Sequence, residues 1–247
     1  MSTIKNNINT YADLTAYNAD LNKDFPNISY IQESDEMKWY KYDPDHIVAV
    51  YNVTSTESAT KLLNVDWNLL EMWIDGVKQE SVVSSYTFGT IGEHKVKYEL
   101  NQFKYITNSN FQSCKSLISV QIPSIVTHID DGNALSYGAF RSCTNLANVK
   151  MLDGIATIGM SAFYGCGKLT SLTIPKTVTI IKNNAFYNCS GLTSITVEAT
   201  TPPSLINSNA LEGTNANLVI YVPAESVNAY KTASGWSTYA SRIFAIS

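Results

Sequence analysis

Four cysteines mark an internal repeat, and this repeat constrains the fold more than any other feature of the chain. Cys114, Cys143, Cys166 and Cys189 follow one another at intervals of 29, 23 and 23 residues. Each cysteine comes three residues after a phenylalanine and three residues before a leucine. A fixed period in the twenties is typical of a solenoid, in which each repeat forms one coil that packs on the next.

The apolar positions inside the repeat predict how the coils are stabilised. One coil contributes about six apolar side chains, each worth roughly 1.5–3 kcal/mol when fully buried. Ordering the backbone costs on the order of 1–2 kcal/mol per residue, so a single coil of this length is not stable alone. Neighbouring coils must therefore share one continuous core.

The Leu-x-x-Val-x-Ile pattern predicts one short parallel strand in each coil, with alternate residues pointing outward. The predicted strands lie near residues 119–122, 148–151, 171–174 and 194–197, and a degenerate fifth copy runs from Leu211 to Val222.

The repeat resembles the BspA-like leucine-rich repeats, which occur in surface proteins of gut and oral anaerobic bacteria and in some protists. The shared motif is Ala-Phe-x-x-Cys-x-x-Leu-x-x-Val-x-Ile-Pro followed by Val-x-x-Ile, and it covers roughly residues 105–222. The stretch from Val222 to Trp236 is similar to the terminal cap of that family. The resemblance implies adhesion or ligand binding and carries over no catalytic residue. Two departures are a six-residue insertion around Asp131–Gly138 and the Thr201-Pro202-Pro203 segment.

The part of the chain before residue 105 lacks the cysteine repeat. Thr10 is expected to begin a helix that ends before Pro26. Alternating apolar residues then predict a series of short strands, and Asp75-Gly76 predicts a hairpin turn. The predicted strands are Ile47–Val53, Ala59–Leu63, Leu69–Ile74, Val82–Phe88 and His94–Leu100.

These strands favour a small β-sandwich of immunoglobulin-like architecture. The segment from Tyr86 to Tyr98 resembles the Ig-like modules that often precede these repeats in bacterial surface proteins. The fold class is therefore predicted to be mostly β with some α, with a module that covers the first coil of the solenoid. Four segments are expected: 1–43 with a short helix, 44–104 as the Ig-like module, 105–222 as the solenoid and 223–247 as the cap.

The cysteines could be read as a zinc site or as disulfides. Zinc requires cysteines that converge on one point, and residues one coil apart lie along a line. Adjacent coils place equivalent Cα atoms within reach of a disulfide, about 4.7–4.9 Å apart. Parallel Cβ directions and the family resemblance favour a ladder of free, buried thiols instead.

Other candidate catalytic and cofactor sites receive little support from the sequence. The histidines, His46, His94 and His128, are scattered, and no nucleophile motif accompanies them. The Asp43-Pro-Asp45-His46 stretch reads better as a solvated turn than as a cation site, and Asp130-Asp131-Gly132 lacks the spacing of a calcium loop. The chain is therefore expected to bind no metal and no cofactor and not to be an enzyme.

The outward strand positions form the candidate binding face. They are small or polar side chains on successive coils, and such solenoid faces are used for binding, although they also serve simply to solvate a sheet. The candidate residues are Ser119, Gln121, Asn148, Lys150, Ser171, Thr173, Ser194, Thr196 and Tyr221, with Val219 beside the last.

The sequence leads to a non-enzymatic surface adhesion or recognition protein whose partner is a protein or a glycan. With 17 basic and 21 acidic residues and no basic patch, nucleic acid is not an expected partner. No apolar stretch is long enough to insert into a membrane. The first ten residues lack the apolar run of a signal peptide, so two locations stay open. One is the extracellular surface of a bacterium; the other is a phage virion, where the chain would be a fibre or decoration protein and a homo-oligomer.

Overall fold

A computed structural model describes residues 46–64, 69–100, 105–107, 109–129, 138–206 and 208–246. The predicted helix from Thr10, the rest of segment 1–43 and most of the six-residue insertion lie outside the described residues. The strands are, in chain order, β1 (His46–Val53), β2 (Thr60–Lys61), β3 (Leu69–Ile74), β4 (Val77–Lys78), β5 (Ser85–Tyr86), β6 (Gly92–Leu100), β7 (Tyr105–Ile106), β8 (Leu117–Ile122), β9 (His128–Ile129), β10 (Asn148–Met151), β11 (Thr157–Ile158), β12 (Ser171–Ile174), β13 (Ile180–Ile181), β14 (Ser194–Val197), β15 (Ser204–Leu205), β16 (Val219–Val222) and β17 (Ile243–Ala245).

The solenoid has two parallel strands in each coil, where the sequence predicted one. The predicted strands are present as β8, β10, β12 and β14, and the degenerate copy supplies β16. A second sheet, in the order β15-β13-β11-β9-β7, runs along the other half of the coils. Its strands contain only two residues each, which is too short for alternation to be visible in the sequence.

The turn around each cysteine locks one coil to the next. The residue before the cysteine has a positive φ in every coil, for example 58° at Ser113 and 59° at Ser142. This left-handed conformation turns its N–H toward the following coil: Ser113 N donates to Arg141 O at 2.8 Å, and Ser142 N donates to Tyr164 O at 2.7 Å. The repeated residue types thus close each coil and join it to its neighbour at the same position.

A column of stacked phenylalanine rings fills the solenoid core. Phe111, Phe140, Phe163 and Phe186 are fully buried, and successive ring centroids are 5.1, 5.2 and 5.5 Å apart with planes only 4° from parallel. Because one ring per coil stacks on the next, the core is continuous along the solenoid, as the repeat predicted.

The strands before the solenoid belong to a sheet that continues into it. Each predicted strand is present at least in part, and so is the Asp75-Gly76 hairpin turn. Strands β1, β3, β4 and β6 join β8 and β10 of the solenoid in one six-stranded sheet, in the order β10-β8-β1-β6-β3-β4. Only the short β2–β5 pair lies in a separate sheet. The Ig-like sandwich is therefore not confirmed. The inward residues of β1 and β6 pack into the same core as the solenoid, which takes the place of a second facing sheet.

This N-terminal sheet covers the first coil and completes its hydrogen bonds. Strand β1 pairs antiparallel with β8, and Tyr98 packs edge-on against Phe111 with ring centroids 5.6 Å apart, which caps the phenylalanine column. Lys61 of the separate β2–β5 sheet adds a contact to the same coil, because its Nζ donates to the carbonyl oxygen of Gln112 at 2.9 Å. The first coil therefore has a packed neighbour on its N-terminal side, as the sequence predicted.

The C-terminal residues close the other end. They comprise short 3₁₀ helices at Ser208–Leu211, Ala224–Ser226 and Trp236–Arg242, helix α1 (Val227–Thr232) and β17, which pairs parallel with β16.

Three side chains of this cap donate to backbone carbonyls of the modified fourth coil, each at 2.7 Å. They are Tyr230 Oη to Ala199 O, Ser226 Oγ to Thr200 O and Trp236 Nε1 to Pro203 O. The cap thus docks on residues 199–203, a stretch that ends in the Thr-Pro-Pro departure from the repeat.

Candidate functional site

The candidate binding face is divided between two sheets. Cross-strand pairing places Ser119 beside Asn148 and Gln121 beside Lys150 on the six-stranded sheet. The remaining candidates lie on a four-stranded sheet, in which the pairs are Ser171 with Ser194, Thr173 with Thr196, Ser194 with Val219 and Thr196 with Tyr221. Asn148, Ser171 and Thr173 are exposed, and the other candidates are half-buried. The structure therefore brings the predicted residues together in two patches.

The six-stranded sheet extends the first patch into a region that sequence reasoning did not include. The row through Gln121 continues across paired strands to Val48, Lys97 and Trp73. Lys97 Nζ lies 4.0 Å from the centroid of the Trp73 ring, and the His46 ring contacts the same indole edge-on at 5.5 Å. The alternation of β6 indicated that its charges face outward, but nothing local indicated that they continue the solenoid face.

The four-stranded sheet also ends in a residue that the sequence analysis missed. Phe244 pairs with Tyr221 across β16 and β17, and 51% of its surface is exposed. An exposed phenylalanine beside a half-buried tyrosine gives the C-terminal end of the second patch an aromatic character. The apolar run Ile243-Phe-Ala-Ile was the available signal, although it is too short to identify a strand.

The four cysteines are free and buried, and each thiol donates to a carbonyl oxygen of the preceding structural layer. Cys143, Cys166 and Cys189 donate to Phe111, Phe140 and Phe163 at 2.9, 3.2 and 3.1 Å. Cys114 has no preceding coil, and its thiol donates to the carbonyl oxygen of Leu62, the residue after β2, at 3.2 Å. This repeated contact explains why cysteine occupies the position in every coil. The side chain is small and apolar, and its thiol can still donate a weak hydrogen bond.

Burial makes these thiols poor nucleophiles. It raises the pKa of Cys114 and of Cys189 from 9.0 to about 12. Burial also raises the pKa of Cys143 and of Cys166 well above that ordinary value. The thiolate is the reactive form, so a thiol that stays protonated and enclosed at neutral pH is inert.

We expect Ellman's reagent to modify almost no cysteine in the native protein and all four after denaturation without reductant. The raised pKa values and the absence of solvent contact are the physical reasons. Rapid modification of the folded protein would contradict the buried ladder. Two or fewer reactive thiols in denaturant would instead indicate disulfides.

The contacts of His94 stabilise the local fold. Its Nδ1 lies 2.7 Å from Asp75 Oδ2, and its Nε2 lies 2.9 Å from the carbonyl oxygen of Thr90. Phe88 covers one side of the ring, with centroids 4.2 Å apart. These contacts tie the β3–β4 turn to the start of β6. Within the described part of the chain no group of three or more His, Cys, Asp or Glu residues is arranged to hold a metal.

Two of the surface grooves among the described residues lie beside the sheets. One encloses about 430 Å³ and is bordered by Lys176 and Glu198, near Pro202 and Pro203. The other encloses about 490 Å³ at the N-terminal ends of β8 and β10. Its lining residues are Asn52, Thr54, Lys115, Ser116, Ile118, Asn145, Ala147 and Lys168, which include two lysines and no acidic residue. Among the described residues, no helix is long and apolar enough to span a membrane.

Comparison with known proteins identifies the repeat. The family model for the BspA type leucine rich repeat region matches residues 78–137 and 104–233, in six copies. A leucine-rich cell surface protein of Faecalibacterium prausnitzii is 28% identical with a TM-score of 0.41, and the match covers 49% of this chain and 30% of that protein. The leucine-rich-repeat protein of T. pallidum is 22% identical with a TM-score of 0.31, and the match covers 56% of this chain and 75% of that protein. No curated protein matches the chain.

Proposed function

We propose that this chain, which belongs to the BspA-type leucine-rich-repeat family, is a non-enzymatic recognition protein that binds a protein or glycan through its outward sheet faces. The observation that carries the proposal is the fixed register of the strands. Cross-strand pairing aligns Thr173, Thr196 and Tyr221 in one row, at the spacing of about 4.8 Å between neighbouring strands. Threonine and tyrosine side chains have few rotatable bonds, so a rigid row of them loses little conformational entropy when a ligand binds.

The composition of the two patches supports the same function. The first patch contains Trp73 with a lysine over its ring, and the second ends at Phe244. Aromatic residues dominate the energetics of protein interfaces, because they bury a large area with few rotatable bonds. Polar rows that end in aromatic residues are suited to a ligand that offers both hydroxyl or amide groups and an apolar surface.

We place this activity at a bacterial cell surface. The family resemblance and the cell-surface protein of F. prausnitzii support that location. The chain spans 30% of the length of that protein, so a location and partners for the whole protein are part of the proposal. The virion alternative has no support in the family model or in these two structures.

The test uses a variant in the middle of the second patch. Thr196→Arg places a long cation between Thr173 and Tyr221, and Ser190→Arg places the same side chain at an exposed turn position outside the row. Binding of labelled protein to arrays of glycans and of extracellular host proteins is measured for wild type and both variants. We expect Thr196→Arg to weaken binding at least tenfold, about 1.4 kcal/mol, and Ser190→Arg to bind like wild type.

Circular dichroism melts establish that both variants remain folded. The proposal is wrong if the wild-type chain binds no member of either array. The proposed site is wrong if Thr196→Arg binds every ligand as tightly as the wild type and the Ser190→Arg control do.

A further inference from the structure

The groove at the N-terminal ends of β8 and β10 is produced by an irregularity in the strand pairing. Val50 pairs with Ser119 and Tyr51 pairs with Leu117, so Ile118 has no partner residue on β1. The ladder resumes beyond this bulge, where Asn52 N donates to Ser116 O at 2.8 Å. A bulge redirects the side chain of its extra residue. Ile118 accordingly lines the groove with Ala147 from the next coil, and together they provide an apolar surface.

The two lysines of the groove come from coils that are not adjacent. Lys115 follows the cysteine of the first coil, and Lys168 lies two residues after the cysteine of the third coil. Asn145 of the second coil lies between them and donates through Nδ2 to Lys115 O at 2.9 Å. Two coil spacings separate the backbones of the lysines by on the order of 10 Å. Both side chains are exposed, and within the described residues neither forms an ion pair.

The other polar groups in the groove are hydroxyls and amides. Asn52, Thr54 and Ser116 line it, and their side chains make no hydrogen bond to another described residue. The volume of about 490 Å³ lies within the range of small-ligand sites, which is about 300–1,000 Å³. The groove therefore combines positive charge, several hydrogen-bonding groups and a small apolar floor.

From this combination we infer that the groove binds a sugar residue that carries a carboxylate or sulfate group, held between Lys115 and Lys168. The inference rests on the proposed function, since it names a ligand class for one end of the first patch. The anion neutralises the lysine charges, the sugar hydroxyls pair with the free hydroxyl and amide groups, and the ring C–H groups pack on Ile118 and Ala147.

A peptide ligand fits these observations less well. Strand β8 is hydrogen-bonded to β1 on one side and to β10 on the other, so it offers no free edge to a peptide backbone. Its apolar surface consists of Ile118 and Ala147, which does not form a deep pocket for a side-chain anchor. The groove beside Glu198 is a weaker candidate for an anion, because that carboxylate would repel it.

The inference is tested by calorimetric titration of the full chain with sialyllactose, sulfated lactose, neutral lactose and an acidic hexapeptide. We expect at least one of the two acidic sugars to bind at least tenfold more tightly than lactose, and the sialylated and sulfated probes distinguish carboxylate from sulfate. Higher salt should weaken the binding, because the lysines are exposed. The double variant Lys115→Gln and Lys168→Gln should lose at least tenfold in affinity, whereas the corresponding arginine pair should retain binding.

Lys231→Gln in helix α1 is the control, because it removes one lysine outside the groove. The inference is overturned if no acidic sugar binds, if lactose binds equally well, or if the glutamine pair binds like wild type. Tighter binding of the hexapeptide through the same lysines would overturn the sugar assignment. Thr196→Arg separates the two proposals: array binding that this variant abolishes, in a protein that binds no acidic sugar, refutes the groove alone. Sugar binding in the groove, together with array binding that Thr196→Arg leaves unchanged, refutes the second patch alone.

Discussion

Replacing Phe163 with alanine is expected to lower the free energy of unfolding by about 3–5 kcal/mol. The ring is fully buried in the middle of the column, with Phe140 and Phe186 on its two faces at 5.2 and 5.5 Å. Its removal would leave a cavity between two coils whose positions are fixed by backbone hydrogen bonds. The surroundings therefore cannot collapse to fill the space.

Denaturant unfolding of Phe163→Ala and of the control Thr173→Ala provides the measurement. Thr173 is an exposed residue of the same coil, and its replacement should change the free energy by no more than about 0.5 kcal/mol. Similar losses in both variants would show that the phenylalanine column does not stabilise the solenoid.

Gly154→Ala is expected to destabilise the protein by about 2–5 kcal/mol, even though it adds a single methyl group. Gly154 has a φ of 143°, which a residue with a side chain rarely adopts. A Cβ atom at this position would lie 2.0 Å from the carbonyl oxygen of Ser124, a backbone atom of the preceding coil. The two coils would have to separate at this turn.

Gly167→Ala is the matched control within the solenoid. Its Cβ would meet only the Ser190 hydroxyl at 3.6 Å, which is an ordinary contact. Thermal or denaturant melts should therefore show a large shift for Gly154→Ala and a small one for Gly167→Ala. A Gly154→Ala protein as stable as wild type would mean that the first two coils do not approach as closely as the structure places them.

The sequence predicted the architecture within each coil because that architecture depends on residues close together in the chain. The spacing from Phe163 through Cys166 to Leu169 specifies a turn and then a buried strand. Two successive intervals of 23 residues, without insertions or deletions, leave few alternatives. The strand positions, the buried cysteines and the outward direction of residues such as Thr173 followed from this local pattern.

The candidate site was predictable only in part. The polar rows were identified because strand residues alternate between the two faces of a sheet. The division of these rows into two patches was not, because Lys150 and Thr173 occupy equivalent places in their coils, and nothing in the repeat separates β10 from β12. Phe244 was missed because a strand of three residues has too little alternation to be recognised.

The tertiary structure alone decided how the chain before residue 105 meets the solenoid. Val48 and Gln121 are 73 residues apart in the chain. Strand pairing over that distance produces no local sequence pattern in either segment. Alternation within β1 and β6 predicted strands with one buried face, but it fitted a separate sandwich as well as a cover for the first coil. The first coil decided between them, because without this cover β8 would lack one hydrogen-bonded neighbour and the Phe111 ring would lose its contact with Tyr98.

The sequence by itself thus determined the coil, since a repeated local pattern specifies repeated local geometry. The fold determined the extended sheet face and the lysine groove, since both arise where β1 pairs with β8. At that junction Ile118 has no paired residue on β1.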